Sequence, residues 1–270
     1  MSDAKKLDQF YTKSNIALYY YQVLEKKYIL SNFLLFEPSA GTGSFSDLFT
    51  SHSISIDLQP KKDSILKKDF FSITKNFFDT KKLIFTIGNP PFGKNSSLAL
   101  KFINNSAQYS DYIAFILPKT FKKESLQNKI DLQLHLVFEE NTPQNSFIHE
   151  GQEYDVPCVF QIWKKKKNLR QKVNIKSTTQ LFQFSNKDEA DFAIRRVGRL
   201  AGKVIINFKE YKESSHYYIK ANKIMSKKEL IDKINLLYNQ IQNVSKNTAG
   251  NPSLSKHELI TILEGSILNS

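Results

Sequence analysis

The chain has 270 residues, 40% hydrophobic and 13% aromatic, which suffices for a sizeable core and excludes wholesale disorder. Its apolar runs, such as IAFIL at 113–117, fall far short of the roughly 20 residues of a membrane span, and MSDAKKLDQF lacks an apolar export signal, so a soluble intracellular protein is expected. The net charge of +13 is uneven: residues 1–163 hold 18 Lys against 17 acids, whereas 164–270 hold 17 Lys and all 4 Arg against 9 acids, and this basic last third points to a polyanionic partner.

In chain order, residues 14–26 read as a helix, with Ser14 as N-cap and Ile16, Leu18, Tyr19 and Val23 as apolar positions. NFLLF (32–36) reads as a strand, 44–51 as a short helix, and SISI (53–56) and LIFTI (83–87) as further strands. A helix over 97–110 puts Ala99, Phe102, Ile103 and Ala107 on one face. The strands YIAFIL (112–117), LHLVF (134–138) and CVFQIW (158–163) complete the core, with a polar loop over 139–157 before the last. Runs apolar on both faces, separated by helices, indicate an α/β fold with a mainly parallel sheet. Lysines 164–167 mark the end of this core domain, 1–165. A small basic α+β module, 166–270, follows; it holds short strands, an amphipathic helix over 226–243, a turn at 245–255 and a last helix over 256–264.

A single cysteine, Cys158, sits in an apolar run and reads as a core residue, so neither a disulfide framework nor a cysteine-based zinc site is expected. The five histidines, at 52, 135, 149, 216 and 257, have no ligand-like spacing. No metal is expected.

FEPSAGTGSF (36–45) follows a strand and opens a helical stretch. Glycines at 41 and 43 let a ligand approach the backbone, and free N–H groups follow. Asp57 ends the next strand, where a carboxylate can accept both hydroxyls of a ribose. Position 46 is Ser rather than the third glycine of a dinucleotide fingerprint, and no Walker lysine occurs, so the ligand is nucleoside-like without being evidently phosphorylated.

IGNPPFG (87–93) lies at the carboxyl end of the strand LIFTI, the edge where ligands bind in open α/β sheets. Pro90 and Pro91 fix φ and remove two donors, leaving rigid carbonyls. Asn89 adds a side-chain acceptor and Phe92 a stacking face, together a site for a planar group that carries an NH2.

These motifs resemble class I S-adenosylmethionine-dependent methyltransferases that methylate amino groups. The likeness is to the adenine-N6 enzymes whose cofactor motif precedes N-P-P-[FY], and it covers residues 8–163. The resemblance implies a Rossmann-like, seven-stranded sheet with its last strand, CVFQIW, antiparallel. It also makes 1–165 the cofactor-binding catalytic domain. It places Tyr11 and Thr12, in DQFYTK, beside the methionine moiety, and Glu37, Ala40, Gly41 and Gly43 around methionine and ribose. Asp57 falls on the ribose hydroxyls, Asp69 on the cofactor's adenine amine with Phe70 beside it, and Asn89, Pro90, Pro91 and Phe92 on the substrate amine.

The chemistry is consistent with this. An adenine N6 lone pair is delocalised, and acceptors at Asn89 Oδ1 and the Pro90 carbonyl would localise it by drawing on both protons. A duplex base must be flipped out to reach such a pocket. For its second wall the resemblance offers Phe147 or Tyr154, and Phe147 is preferred. In FAIRRVGRLAGK (192–203), Arg195, Arg196, Arg199 and Lys203 would form one basic face if helical, suited to phosphate or guanine. The expected function is methyl transfer from S-adenosylmethionine to adenine N6 in DNA. RNA adenine is the alternative, glutamine N5 of a protein a weaker one, and a non-catalytic nucleic-acid binder the rival of another class. The sequence leaves the oligomeric state open.

Overall fold

The computed structural model describes residues 10–50 and 52–268, and the chain divides into two compact units, Met1–Val173 and Asn174–Ser270. In the first unit the strands run β1 Tyr11–Thr12, β2 Phe33–Glu37, β3 Ser53–Asp57, β4 Leu66–Lys67, β5 Leu83–Gly88 and β6 Tyr112–Pro118, then β7 Leu134–Asn141, β8 Phe147–His149, β9 Gln152–Tyr154 and β10 Cys158–Lys165. Its α-helices are α1 Ser14–Lys27, α2 Ser97–Ser106 and the single turn α3 Glu124–Gln127.

The central sheet has the order β4-β3-β2-β5-β6-β10-β7. β4, β3, β2, β5 and β6 pair in parallel, while β10 pairs antiparallel with both β6 and β7. This is a seven-stranded, mostly parallel, Rossmann-like sheet with CVFQIW as its antiparallel strand. β2 is buried at every position, and from Ile113 to Pro118 so is β6, because helices and loops cover both faces. The expected face of α2 is delivered: Ala99, Phe102, Ile103 and Ala107 are all buried.

Several local expectations are corrected. Ser14 is the first helical residue rather than the cap; Lys13 caps α1 with no side-chain bond. Of the stretch 44–51, the described residues 44–50 contain only a 3₁₀ turn, Ser46–Leu48. The supposed loop 139–157 holds β8 and β9, which form a three-stranded antiparallel sheet with β1. Residues 164–173 stay with the first unit, where the Arg170 guanidinium donates to the carbonyls of Gln127, Ile130 and Leu134.

The second unit holds the strands β11 Phe182–Phe184, β12 Phe192–Arg195, β13 Val204–Ile205 and β14 His216–Ala221, and the helices α4 Lys227–Leu236, α5 Tyr238–Ser245 and α6 Lys256–Leu268. The sheet is antiparallel, in the order β11-β14-β12-β13, and Phe192, Ile194, Tyr217 and Ile219 pack with Leu230, Ile234 and Leu259. Ser226 and Glu229 close a capping box on α4. The helix expected over 226–243 breaks at Leu237, whose φ and ψ of −90° and 5° are not helical.

FAIRRVGRLAGK is not a helix. FAIR pairs with β14 and β13, and Gly198 and Gly202, with φ of +89° and +93°, turn the chain between the strands. The expected basic helical face therefore does not exist. Arg195 sits at a strand end with Nε donating to the Val197 carbonyl, and Arg196 lies over the Tyr217 ring at 5.1 Å. Arg199 and Lys203 are exposed around the turn.

Candidate active site

β2 and β5 are neighbours from which the chain departs to opposite sides of the sheet, so a crevice opens beyond their carboxyl ends. Glu37 ends β2, Asp57 ends β3 and Asn89 follows β5, which brings three chemically capable side chains to one edge. A cavity of about 460 Å³ lies there. Its wall includes Tyr11, Thr12, Glu37, Ala40, Gly41, Asp57, Asp69 and Phe70, together with Asn89, Pro90, Pro91 and Phe92. Gly43 is not on the wall; at φ +86° it closes the turn by donating its N–H to the Ala40 carbonyl at 2.7 Å.

The turn is held from below by Asp57. One carboxylate oxygen accepts from the Gly41 N–H at 2.8 Å and the other from the Gln59 N–H at 2.7 Å. Each oxygen keeps lone-pair capacity for a ligand hydroxyl. Gly41 has φ +52°, and a Cβ there would sit 2.9 Å from Cε1 of Tyr11, so a side chain at this position would meet both strain and a clash. Burial and the nearby Asp57 charge push the Tyr11 phenol above its usual pKa. Ser44 ties the segments together by donating to the Thr12 carbonyl at 2.7 Å.

Glu37 is 2% exposed, and burial pushes its carboxyl well above the usual range. Its Oε2, with Oγ1 of Thr12 and Oδ1 of Asn89, is buried without a hydrogen-bond partner. Unpaired polar atoms are costly in a folded interior, and these three belong to residues that line one cavity. They fit a ligand that brings donors and positive charge.

The Asn89 amide has a fixed orientation. Its Nδ2 donates to the Phe10 carbonyl at 2.9 Å, and since a carbonyl can only accept, Oδ1 is the end left over. The Asn89 backbone carbonyl accepts from the Ser39 hydroxyl at 3.3 Å. Asp69 caps a short 3₁₀ turn through Oδ1, which accepts from the Phe71 N–H at 2.9 Å, while Phe70 is buried against Phe102 at 4.3 Å.

Phe147, preferred as the second wall, does not reach the cavity. It is fully buried in β8, edge-on to Phe92 at 6.3 Å and 88°, because its pairing with Thr12 turns the ring inward. Tyr154 is 44% exposed and is not on the wall either. Wall residues to which sequence reasoning gave no role include Phe10, Leu58, Phe71 and Lys94. Leu58 and Phe71 are 57% and 45% exposed. Large apolar side chains left open in a cavity mark a binding face, a signal legible once the motifs beside them are placed.

Among the described residues no group of His, Cys, Asp and Glu could hold a metal ion, and no helix is long and apolar enough to cross a membrane.

The family model for the EDM2 methyltransferase-like domain matches residues 50–193, more than half of the chain. The match takes in Asp57, Asp69 and Asn89–Phe92. No curated protein matches the chain. Among solved structures, the chain is similar to one described as an RNA methyltransferase from Pyrococcus horikoshii, with 14% identity and a TM-score of 0.45 over 59% of this chain and 87% of that one. It is also similar to one described as a class I S-adenosylmethionine-dependent methyltransferase from Listeria monocytogenes, with 15% identity and a TM-score of 0.46 over 59% of this chain and 62% of that one. The 23S rRNA methyltransferase ErmE is 12% identical with a TM-score of 0.40, covering 59% of this chain and 71% of that one.

Proposed function

Because the chain belongs to the family of EDM2 methyltransferase-like domains, we propose that it binds S-adenosylmethionine and methylates the N6 amine of adenine in DNA. The observation that carries this reading is the unpaired, oriented Oδ1 of Asn89, a residue that lines the same cavity as Asp57 and Glu37. The cofactor, when bound, supplies an electrophilic methyl on a sulfonium. Asp57 would hold the ribose hydroxyls, and Glu37 and Thr12 the ammonium of the methionine moiety. Leu58 and Phe71 would offer apolar faces to the adenine ring, and Asp69 would accept from its amine.

Asn89 then acts on the substrate. Its Oδ1 and the Pro90 carbonyl accept from the two N6 protons, drawing the nitrogen out of conjugation so that its lone pair points at the methyl. The sulfonium would supply the methyl, a C–N bond forming at the expense of its C–S bond. The extra proton leaves to water only after transfer, when the nitrogen has become acidic, so no strong base is needed. Positioning and fixed acceptors supply the acceleration. The second unit's exposed cations, Arg199 and Lys203 among them, engage phosphates.

DNA stands first because the motif order and DQFYTK resemble DNA adenine enzymes. Labelled-methyl transfer onto DNA, RNA and protein, with nucleoside mass spectrometry, tests the proposal. N6-methyladenine in DNA supports it; label confined to RNA moves the substrate to the RNA alternative; label in protein alone overturns the adenine reading.

A further inference from the structure

Phe92 has two aromatic neighbours with different relations to the cavity. Phe147 meets its edge from the buried side. Phe10 faces it at 6.3 Å between ring centroids and 29° between planes, and Phe10 lines the cavity, whereas Phe147, His149 and Tyr154 do not. Phe10 also stacks on Tyr154 at 5.2 Å and 15° and meets His149 at 5.0 Å. Phe10 is thus held by aromatic neighbours that do not line the cavity while it lines the cavity itself.

Its backbone is fixed as well. The Phe10 carbonyl takes the Asn89 amide, and the adjoining β1 pairs with β8 at Tyr11 with Ile148 and Thr12 with Phe147. The ring and the free acceptor Oδ1 are therefore referenced to the same residue. Both rings line the cavity, with centroids 6.3 Å apart and planes tilted by 29°, so a flat ring that enters there meets an aromatic face from each of two chain segments.

We propose that Phe10 and Phe92 form a slot for the planar ring of the substrate, with Phe10 as the second wall and its carbonyl holding Asn89 at the slot's edge. The inference rests on the proposed amine methylation and specifies its substrate class: a flat heteroaromatic amine, selected over a peptide amide by two stacking faces. Phe10 belongs to a segment outside the N-P-P-F motif that holds Phe92, so the two walls of the slot come from separate pieces of chain joined by one hydrogen bond.

The test compares the full-length wild type with Phe10→Ala, Phe10→Leu and Phe10→Trp. It measures labelled-methyl transfer onto adenine homopolymers of DNA and RNA, with cofactor affinity by calorimetry. Stacking of one base on an aromatic wall is worth about 1–3 kcal/mol, so Phe10→Ala is expected to raise KM for the nucleic acid roughly five- to 150-fold. Phe10→Leu should show much of that loss and Phe10→Trp should restore near-normal KM, with cofactor affinity within about twofold throughout. The aromatic rescue separates a stacking wall from a merely structural side chain. Activity in the wild type with KM unchanged in Phe10→Ala, or lost equally in Phe10→Trp, overturns the slot while leaving amine methylation standing. A wild type that binds the cofactor yet methylates neither homopolymer overturns both.

Discussion

Nδ2 of Asn89 donates to the carbonyl of Phe10 at 2.9 Å, and this contact leaves Oδ1 of Asn89, a residue that lines the cavity, buried and unpaired. An acceptor buried without a partner costs about 1–3 kcal/mol. A ligand amine that satisfies it recovers that energy on binding. Asn89→Ala should therefore keep cofactor affinity within about twofold and lose methyl transfer by at least about a hundredfold, the scale of one positioned polar group. Calorimetry and single-turnover rates on the same preparation check it.

Substitution of Asp57 should expose its structural role together with the proposed binding role. Asp57→Ala removes the acceptor for the Gly41 and Gln59 N–H groups as well as for ligand hydroxyls. Cofactor affinity should fall by about 1.5–3 kcal/mol, the scale of hydrogen bonds to a charged group, with a lowered melting temperature in the ligand-free protein. Unchanged affinity in calorimetry contradicts the placement of Asp57 on the ligand.

At Gly41, φ +52° and the 2.9 Å approach to Tyr11 leave no room for a methyl group. Gly41→Ala should destabilise the protein by about 1–2 kcal/mol, the cost of the left-handed region for an L-residue. It should weaken cofactor binding further by pushing Tyr11 aside. Denaturant titration and calorimetry read the two effects separately.

Glu37 gives a pH dependence with a defined sign. Burial raises its folded-state pKa above the ordinary 4.5, so the folded protein holds this proton where the unfolded chain has lost it. Its contribution to stability is greatest below pH 4.5 and declines as pH rises through the raised value. A cationic ligand favours the ionised carboxylate, so cofactor binding should release a proton in that window. Calorimetry in buffers of different ionisation enthalpy measures the release, and Glu37→Gln should abolish it.

In the second unit, substitution should separate grip from scaffold. Arg199 and Lys203 are exposed, whereas Arg196 stacks on Tyr217 and its Nε is buried. Arg199→Ala with Lys203→Ala should lower the salt slope of nucleic-acid binding by roughly 1.4 to 1.8. Arg196→Ala should cost about 0.5–2 kcal/mol of stability through the lost cation–π contact. Binding across a salt series, beside thermal melts, decides between them.

The central sheet and its ligand edge were legible because β2, β5 and β6 are apolar on both faces and end in chemically distinctive residues. The short sheet was not. β9 is QEY, exposed at all three positions, and it joins β8 through backbone pairing that carries no hydrophobic pattern. Phe10's place depends on β1 pairing with β8 across more than a hundred residues, so no local pattern pointed to it. Phe147 lay near the right place in the chain but on the inward face of its strand. The arginine segment misled through spacing alone, although Gly198 and Gly202 carried the correcting signal, since two glycines within five residues argue for a turn.

The most direct measurement of the central claim is nucleoside mass spectrometry of DNA incubated with the full-length protein and labelled S-adenosylmethionine, with Asn89→Ala in parallel. The account predicts labelled N6-methyladenine with the wild type and at least about a hundredfold less with the variant. Wild-type protein that forms no methylated adenine, or an Asn89→Ala variant that forms it at an undiminished rate, would contradict it.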